Sequence, residues 1–167
     1  NNKKYPMALV HSPFVHPPKL EKLARSKFTD DLDKKTVAFG HMITYMDHIV
    51  GSILARLKKH DLDQNTLVLF TGDNGTSRRS KLRHIKGRKY EYENVFSIRN
   101  GQRVPGGKGT LLDIGTNVPL IANWPGRIQT GSVGHELVDF SDWLPTLAAI
   151  AGATVENKID GVSFYST

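Results

Sequence analysis

The sequence predicts an α/β fold, and three observations carry that expectation. Residues 33–60 repeat their apolar side chains at three- and four-residue spacing, as an amphipathic helix does. Residues 66–71 form an unbroken apolar run rich in β-formers, which suits a strand buried on both faces, as in a parallel sheet. A second run at 118–124 and a helical pattern at 142–151 complete an order of strand, helix, strand, strand, helix, which argues for helices layered on a sheet.

Taken in order, residues 5–10 read as a short buried strand. Pro13, Pro17 and Pro18 make the next segment a loop, and residues 19–27 have room for a helical turn. The long helix opens on Asp33, a residue type that caps helices. Met42, Met46, Ile49, Ile53 and Leu57 lie along its apolar stripe, and Lys58 and Lys59 complement the dipole in its last turn. It reads as a packing element without chemistry. Gly72-Asp73-Asn74-Gly75 stops the first apolar run, and the polar, strongly basic residues 76–92 read as a loop. Asn100-Gly101 is a hairpin-turn signal. Pro125-Gly126 ends the second run, and Gly152 ends the last helix, whose Pro145 lies near its start, where proline is tolerated.

The 167 residues fit one compact domain, and 38 % apolar residues can build a core. No apolar run reaches membrane-spanning length. With no cysteine, disulfides and thiolate metal sites are excluded. A net charge of +7 favours anionic partners without choosing among them.

Three places can carry chemistry. Asp73 and Asn74 follow a strand directly, where ligands gather in α/β sheets, and their adjacent oxygens can ligate a hard cation such as Ca²⁺ or Mg²⁺; a plain Asp-Asn-Gly turn is the alternative. Gly106-Gly107-Lys108-Gly109-Thr110 is not a P-loop, because Arg103 stands where the first glycine is required. Its glycines still let backbone approach an oxyanion, with Lys108 supplying charge, or it is a flexible surface loop. His11, after a predicted strand, can bind an oxyanion or donate a proton, or is structural.

The order of these blocks carries more than any one of them. His11-Ser12-Pro13-Phe14, a helix with Tyr45-Met46-Asp47-His48, Phe70 to Gly75, Gly106 to Gly126, Asp139 to Gly152 and Asp160 to Phe164 together resemble the sulfatase family over nearly the whole chain. The resemblance implies part of an alkaline-phosphatase-like sandwich with a largely parallel central sheet flanked by helices. It implies one divalent cation, Ca²⁺ in most relatives, with Asp73 and Asn74 as metal ligands. Lys108 and His11 are then the catalytic and substrate-binding residues, holding the sulfate group. Such enzymes take sulfated small molecules or sulfated glycans and work in periplasmic, secreted or lysosomal settings.

Departures from the pattern set further expectations. The family's Cys/Ser-x-Pro-x-Arg nucleophile motif does not occur here, nor do the early paired aspartates and the lysine-histidine pair. The C-terminal small sheet is also missing. The expectation is that residues 1–167 form a partial catalytic domain, inactive alone, binding calcium weakly and prone to self-association through uncovered edges. Asn117 stands where many relatives have histidine. A phosphate- or phosphonate-ester hydrolase is the alternative within the superfamily, and Asn74, an oxygen donor, argues against it. A nucleic-acid-binding module is the alternative outside it, resting on Arg78, Arg79, Lys81, Arg83, Lys86, Arg88 and Lys89, but no recognition motif accompanies that cluster. The same cluster, between Asp73-Asn74 and Lys108, suits a cationic rim that captures a polysulfated glycan.

Overall fold

A computed structural model describes residues 9–11, 17, 34–83 and 90–165. The chain divides into two compact units, Asn1–Gln129 and Thr130–Thr167.

The first unit is organised by α1 (Lys34–Lys59), the helix expected from the apolar stripe. Asp33 lies outside the described residues, so its capping role is not observed. The helix ends in a Schellman motif: the Leu62 N–H donates to the Leu57 carbonyl at 3.0 Å and the Asp61 N–H to that of Lys58 at 3.1 Å. Asp61 takes the left-handed position (φ 55°) that glycine usually fills. Arg56, Lys58 and Lys59 meet the negative helix end. Phe39 and Met42 of α1 pack with Val95 into a buried cluster, against which Leu9 and Val10 lie half-buried.

Beyond a short 3₁₀ turn at Asp63–Asn65, the strands pair in twos. β1 (Val68–Thr71) pairs antiparallel with β6 (Leu120–Asn123), placing Val68 opposite Asn123 and Thr71 opposite Leu120. β2 (Arg79–Arg83) pairs antiparallel with β3 (Tyr90–Asn94). β4 (Phe96–Arg99) pairs antiparallel with β5 (Gln102–Pro105). The last pair is the hairpin that Asn100-Gly101 predicts. Both residues have positive φ, 51° and 76°, as a type I′ turn requires. A four-residue helix, α2 (Asp113–Thr116), precedes β6.

One expectation is overturned and a second is met only in part. The basic segment at 76–92 is not a plain loop, because Arg79–Arg83 and Tyr90–Asn94 form a ribbon. The alternation of Tyr90 and Tyr92 with Glu91 and Glu93 is a period-two strand signal that the basic composition of the segment masked. The largely parallel sheet is also not what the described strands build: each of the three pairings is antiparallel. Nor is the first run buried on both faces as expected, since β1 is half-buried along its length and β6 is exposed from Ile121 to Asn123; an apolar run reports what a strand can bury, not the direction of its neighbour. The strand expected at 5–10 lies mostly outside the described residues, and Leu9 and Val10 occupy a turn. The expected turn at 19–27 lies wholly outside them.

The second unit holds a 3₁₀ turn (Phe140–Asp142) running into α3 (Trp143–Ala151). Asp139 and Asp142 form a capping box: the Asp139 carboxylate accepts from the Ser141 N–H and the Asp142 carboxylate from the Asp139 N–H, both at 2.8 Å. The Ser141 bonds, then that from the Phe140 N–H, hold the Asp139 carboxyl below its usual range. Gly152, in the left-handed conformation (φ 66°), ends α3 as expected. The chain returns past α3 on two bonds: the Val162 N–H donates to Asp142 Oδ1 (2.7 Å) and the Phe164 N–H to the buried Thr146 Oγ1 (3.1 Å).

Candidate active site

Asp73 and Asn74 sit in the bend that leaves β1, and Lys108 sits in the glycine-rich turn after β5. Distant in sequence, the two loops are joined through backbone. The Thr76 carbonyl accepts from both Gly107 N–H (2.9 Å) and Lys108 N–H (3.0 Å), and Gly75 N–H donates to the Gly115 carbonyl at 2.9 Å. Glycine makes this approach possible. A Cβ on Gly75 would collide with the Ile114 carbonyl, and one on Gly115 with those of Thr110 and Gly107. The Thr110 hydroxyl donates to the Gly107 carbonyl at 2.8 Å, closing the turn that carries Lys108.

Asp73 and Lys108 are exposed, and Asn74 is half-buried. His11 is exposed and follows Val10, whose φ of 64° is costly for a β-branched residue. Val10 packs on the cluster containing Val95, and the Val95 carbonyl accepts from Gly106 N–H at 3.0 Å. The segment leading to His11 is therefore seated on the same core as the Lys108 loop.

A cavity of about 340 Å³ opens beside these loops. Its lining runs from Asn74 and Thr76, past Gly106, to Phe96, Arg99 and Asp113. At that far side Arg99 Nη1 donates to Asp113 Oδ2 at 3.1 Å, and Asn117 Nδ2 donates to Asp113 Oδ1 at 2.8 Å. The bond from Asn117, then the bond and charge of Arg99, hold the Asp113 carboxyl below its usual range. Asn117, noted as a departure, thus has a local partner on α2. Sequence reading missed Arg99 and Asp113. The four-residue spacing of Asp113 and Asn117 was the available signal, since such pairs face each other on a helical turn.

Among the described residues, no group of three or more His, Asp or Glu could hold a metal ion. Asp73 and Asn74 offer two adjacent hard oxygen donors, right in kind for Ca²⁺ but short of the roughly six to eight ligands it takes. No described helix is long and apolar enough to cross a membrane.

The sulfatase family model matches residues 6–153. This chain therefore belongs to the sulfatase family. It is 36 % identical to human arylsulfatase A over 126 residues, 74 % of this chain and 22 % of that protein. It is 32 % identical to the N-acetylgalactosamine-6-sulfatase of Canis lupus familiaris over 130 residues, again 74 % of this chain and 22 % of the relative. An ulvan-active sulfatase of Formosa agariphila is 39 % identical over 75 residues, 45 % of this chain and 15 % of that one. The crystal structure of Ps i-CgsB in complex with k-i-k-neocarrahexaose superposes with a TM-score of 0.67 at 25 % identity, covering 93 % of this chain and 30 % of that one. The α/β fold is thus that of sulfatases, and the chain spans about a fifth of the length of arylsulfatase A.

Proposed function

We propose that this chain contributes the metal-binding and sulfate-binding half of a sulfuric ester hydrolase. The observation that carries the reading is the Thr76 carbonyl, which accepts from both Gly107 and Lys108 and so ties the Asp73-Asn74 bend to the lysine loop. Asp73 and Asn74 supply part of the shell of one divalent cation, calcium by the hardness of their oxygens. When bound, that ion stabilises negative charge on the sulfate.

The rest of the chemistry assigned here belongs to side chains. Breaking the S–O ester bond develops charge on the departing oxygen. The Lys108 ammonium holds the sulfate and lies against that oxygen, and the His11 imidazole contacts the sulfate and can donate a proton. The nucleophile is not assigned to this chain, which has no Cys/Ser-x-Pro-x-Arg motif. We also read β1 as a member of a largely parallel sheet in an alkaline-phosphatase-like sandwich, with β6 as its antiparallel neighbour, an arrangement common in large mixed sheets.

For substrate we propose a sulfated glycan. Support comes from the relatives named for ulvan and N-acetylgalactosamine-6-sulfate, from the neocarrahexaose complex, and from the net charge of +7. The reading is tested with the protein as its gene encodes it, measuring aryl-sulfate turnover and bound metal together. Asp73→Ala should lose both. Lys108→Ala should keep the metal and lose about a hundredfold or more in kcat, the usual cost of removing a group that stabilises developing charge. An active, metal-loaded Asp73→Ala protein would remove Asp73 from the site.

A further inference from the structure

We propose that Arg99 is a specificity residue that binds a second sulfate group of the substrate, on a sugar beyond the scissile ester. The proposal rests on the sulfatase reading above and deepens it. Its basis is that Asn74 and Arg99 line one cavity. The cavity volume, about 340 Å³, falls at the lower end of small-molecule sites and is enough for a sugar unit.

Three observations point to Arg99 rather than to its neighbours. The β4–β5 hairpin lines the cavity from both faces of its ribbon, with Ser97, Arg99 and Val104 on one and Phe96 and Pro105 on the other. Arg103 is opposite Ile98, on the other face, with its guanidinium 4.2 Å from the centre of the Phe96 ring. Arg103 is thereby held by an aromatic face and is not among the residues lining the cavity, whereas Arg99 is.

The second observation is the state of Asp113. Both its oxygens are engaged, Oδ1 by Asn117 and Oδ2 by Arg99. The carboxylate is therefore oriented by its own turn, and it in turn orients the guanidinium. The third is exposure. The Arg99 side chain is 59 % exposed, and only Nη1 is spent on Asp113. A guanidinium has five N–H donors in a planar fork that matches an oxyanion. An exposed ion pair contributes little to stability, so the pairing is better understood as aiming the fork than as holding the fold. The hairpin that presents it is closed by a two-residue turn with both φ values positive, a rigid mounting for the arginine beside it.

The test uses the protein as its gene encodes it, with two synthetic disaccharides that differ only in carrying one sulfate or two. Turnover and equilibrium binding are both measured. Wild type should prefer the disulfated sugar, and Arg99→Ala should lower the ratio of kcat/KM, disulfated over monosulfated, by about tenfold, the scale of one charge-assisted hydrogen-bonded contact. Arg99→Lys, which keeps the charge and loses the fork, should fall between. Asp113→Asn separates binding from scaffolding. If Arg99 binds the second sulfate through a fork that Asp113 aims, Asp113→Asn lowers the disulfated preference, but by less than Arg99→Ala does; if the pair is only a latch, Asp113→Asn and Arg99→Ala lower both substrates alike, and the proposal is overturned. Equal use of the two sugars by wild type also overturns it while leaving the sulfatase reading intact. If wild type turns over no sulfate ester, the sulfatase reading fails by itself. The binding ratios then decide alone for Arg99: a disulfated preference lost in Arg99→Ala sustains it, and its absence overturns it.

Discussion

Gly115→Ala is the sharpest perturbation of the link between the two loops. Gly115 is buried, and its φ lies outside the left-handed region, so alanine's backbone is allowed there. Taken alone, the change would stabilise by about 0.4–1 kcal/mol through the unfolded chain. Against this, the added Cβ would meet the carbonyl oxygens of Thr110 and Gly107, inside van der Waals contact. These are backbone atoms that cannot swing aside, and forcing a methyl into such a place costs roughly 1–3 kcal/mol. The net loss is about 1–2 kcal/mol. For a chain of this size it lowers Tm by about 2–8 °C. The strain falls on the turn holding Lys108, so kcat should drop by up to about a hundredfold, as for a catalytic group misplaced by 1 Å. Gly51→Ala is the matched control. Gly51 lies exposed within α1 with nothing within 4 Å of a Cβ, and alanine there should stabilise by about 1 kcal/mol with turnover unchanged. Calorimetric melts and aryl-sulfate kinetics on both variants check the pair. A Gly115→Ala protein that melts at or above wild type with normal turnover would refute the interlocked-backbone argument.

Three further outcomes are expected. Thr146→Val keeps the volume but leaves the Phe164 N–H without its acceptor; it should cost about 1–2 kcal/mol and raise hydrogen exchange at Val162 to Phe164. Asp113→Asn tests a lowered pKa: the carboxylate contributes stability above its unfolded pKa and loses it as pH falls through the folded one, so the variant should melt below wild type at neutral pH and converge with it below the ordinary carboxylate range. Arg78→Ser with Arg79→Ser removes two exposed cations; kcat/KM on a sulfated oligosaccharide should fall severalfold at low salt and meet wild type at high salt, while equal loss at both would exclude steering.

Legibility followed the range of the forces involved. α1, the Asn100-Gly101 hairpin and the Gly152 helix stop were readable because periodicity and backbone φ preferences act within a few residues. The ribbon Arg79–Arg83 with Tyr90–Asn94 was half legible: Tyr90 and Tyr92 alternate with glutamates as strand residues do, but the charged Arg79–Arg83 does not announce the partner it pairs with. Asp73, Asn74 and Lys108 were expected at one site from the order of the blocks, but the backbone tie between their loops was not legible: it depends on one carbonyl at Thr76, a residue with no unusual side chain. The Arg99–Asp113 pair, likewise, joins two elements that local patterns do not connect.

The tie at Thr76 has a consequence for how this chain could change. Everything between Ser77 and Gly106 leaves and returns at that carbonyl, and the β2–β3 ribbon is closed again at its base, where the Val95 N–H donates to the Arg78 carbonyl at 3.0 Å. The ribbon within that excursion is therefore an interchangeable part, while Val95 beyond it stays in the core. Arg79 stands directly opposite Asn94, so a two-residue turn could join them and delete the ribbon without moving either anchor. Lengthening it would be cheap as well, since each doubling of a loop adds only about 0.6 kcal/mol of closure entropy. The loops of Asp73-Asn74 and Lys108 and the ribbon between them can thus be remodelled independently, one by point substitution and the other by splicing in a different length of chain.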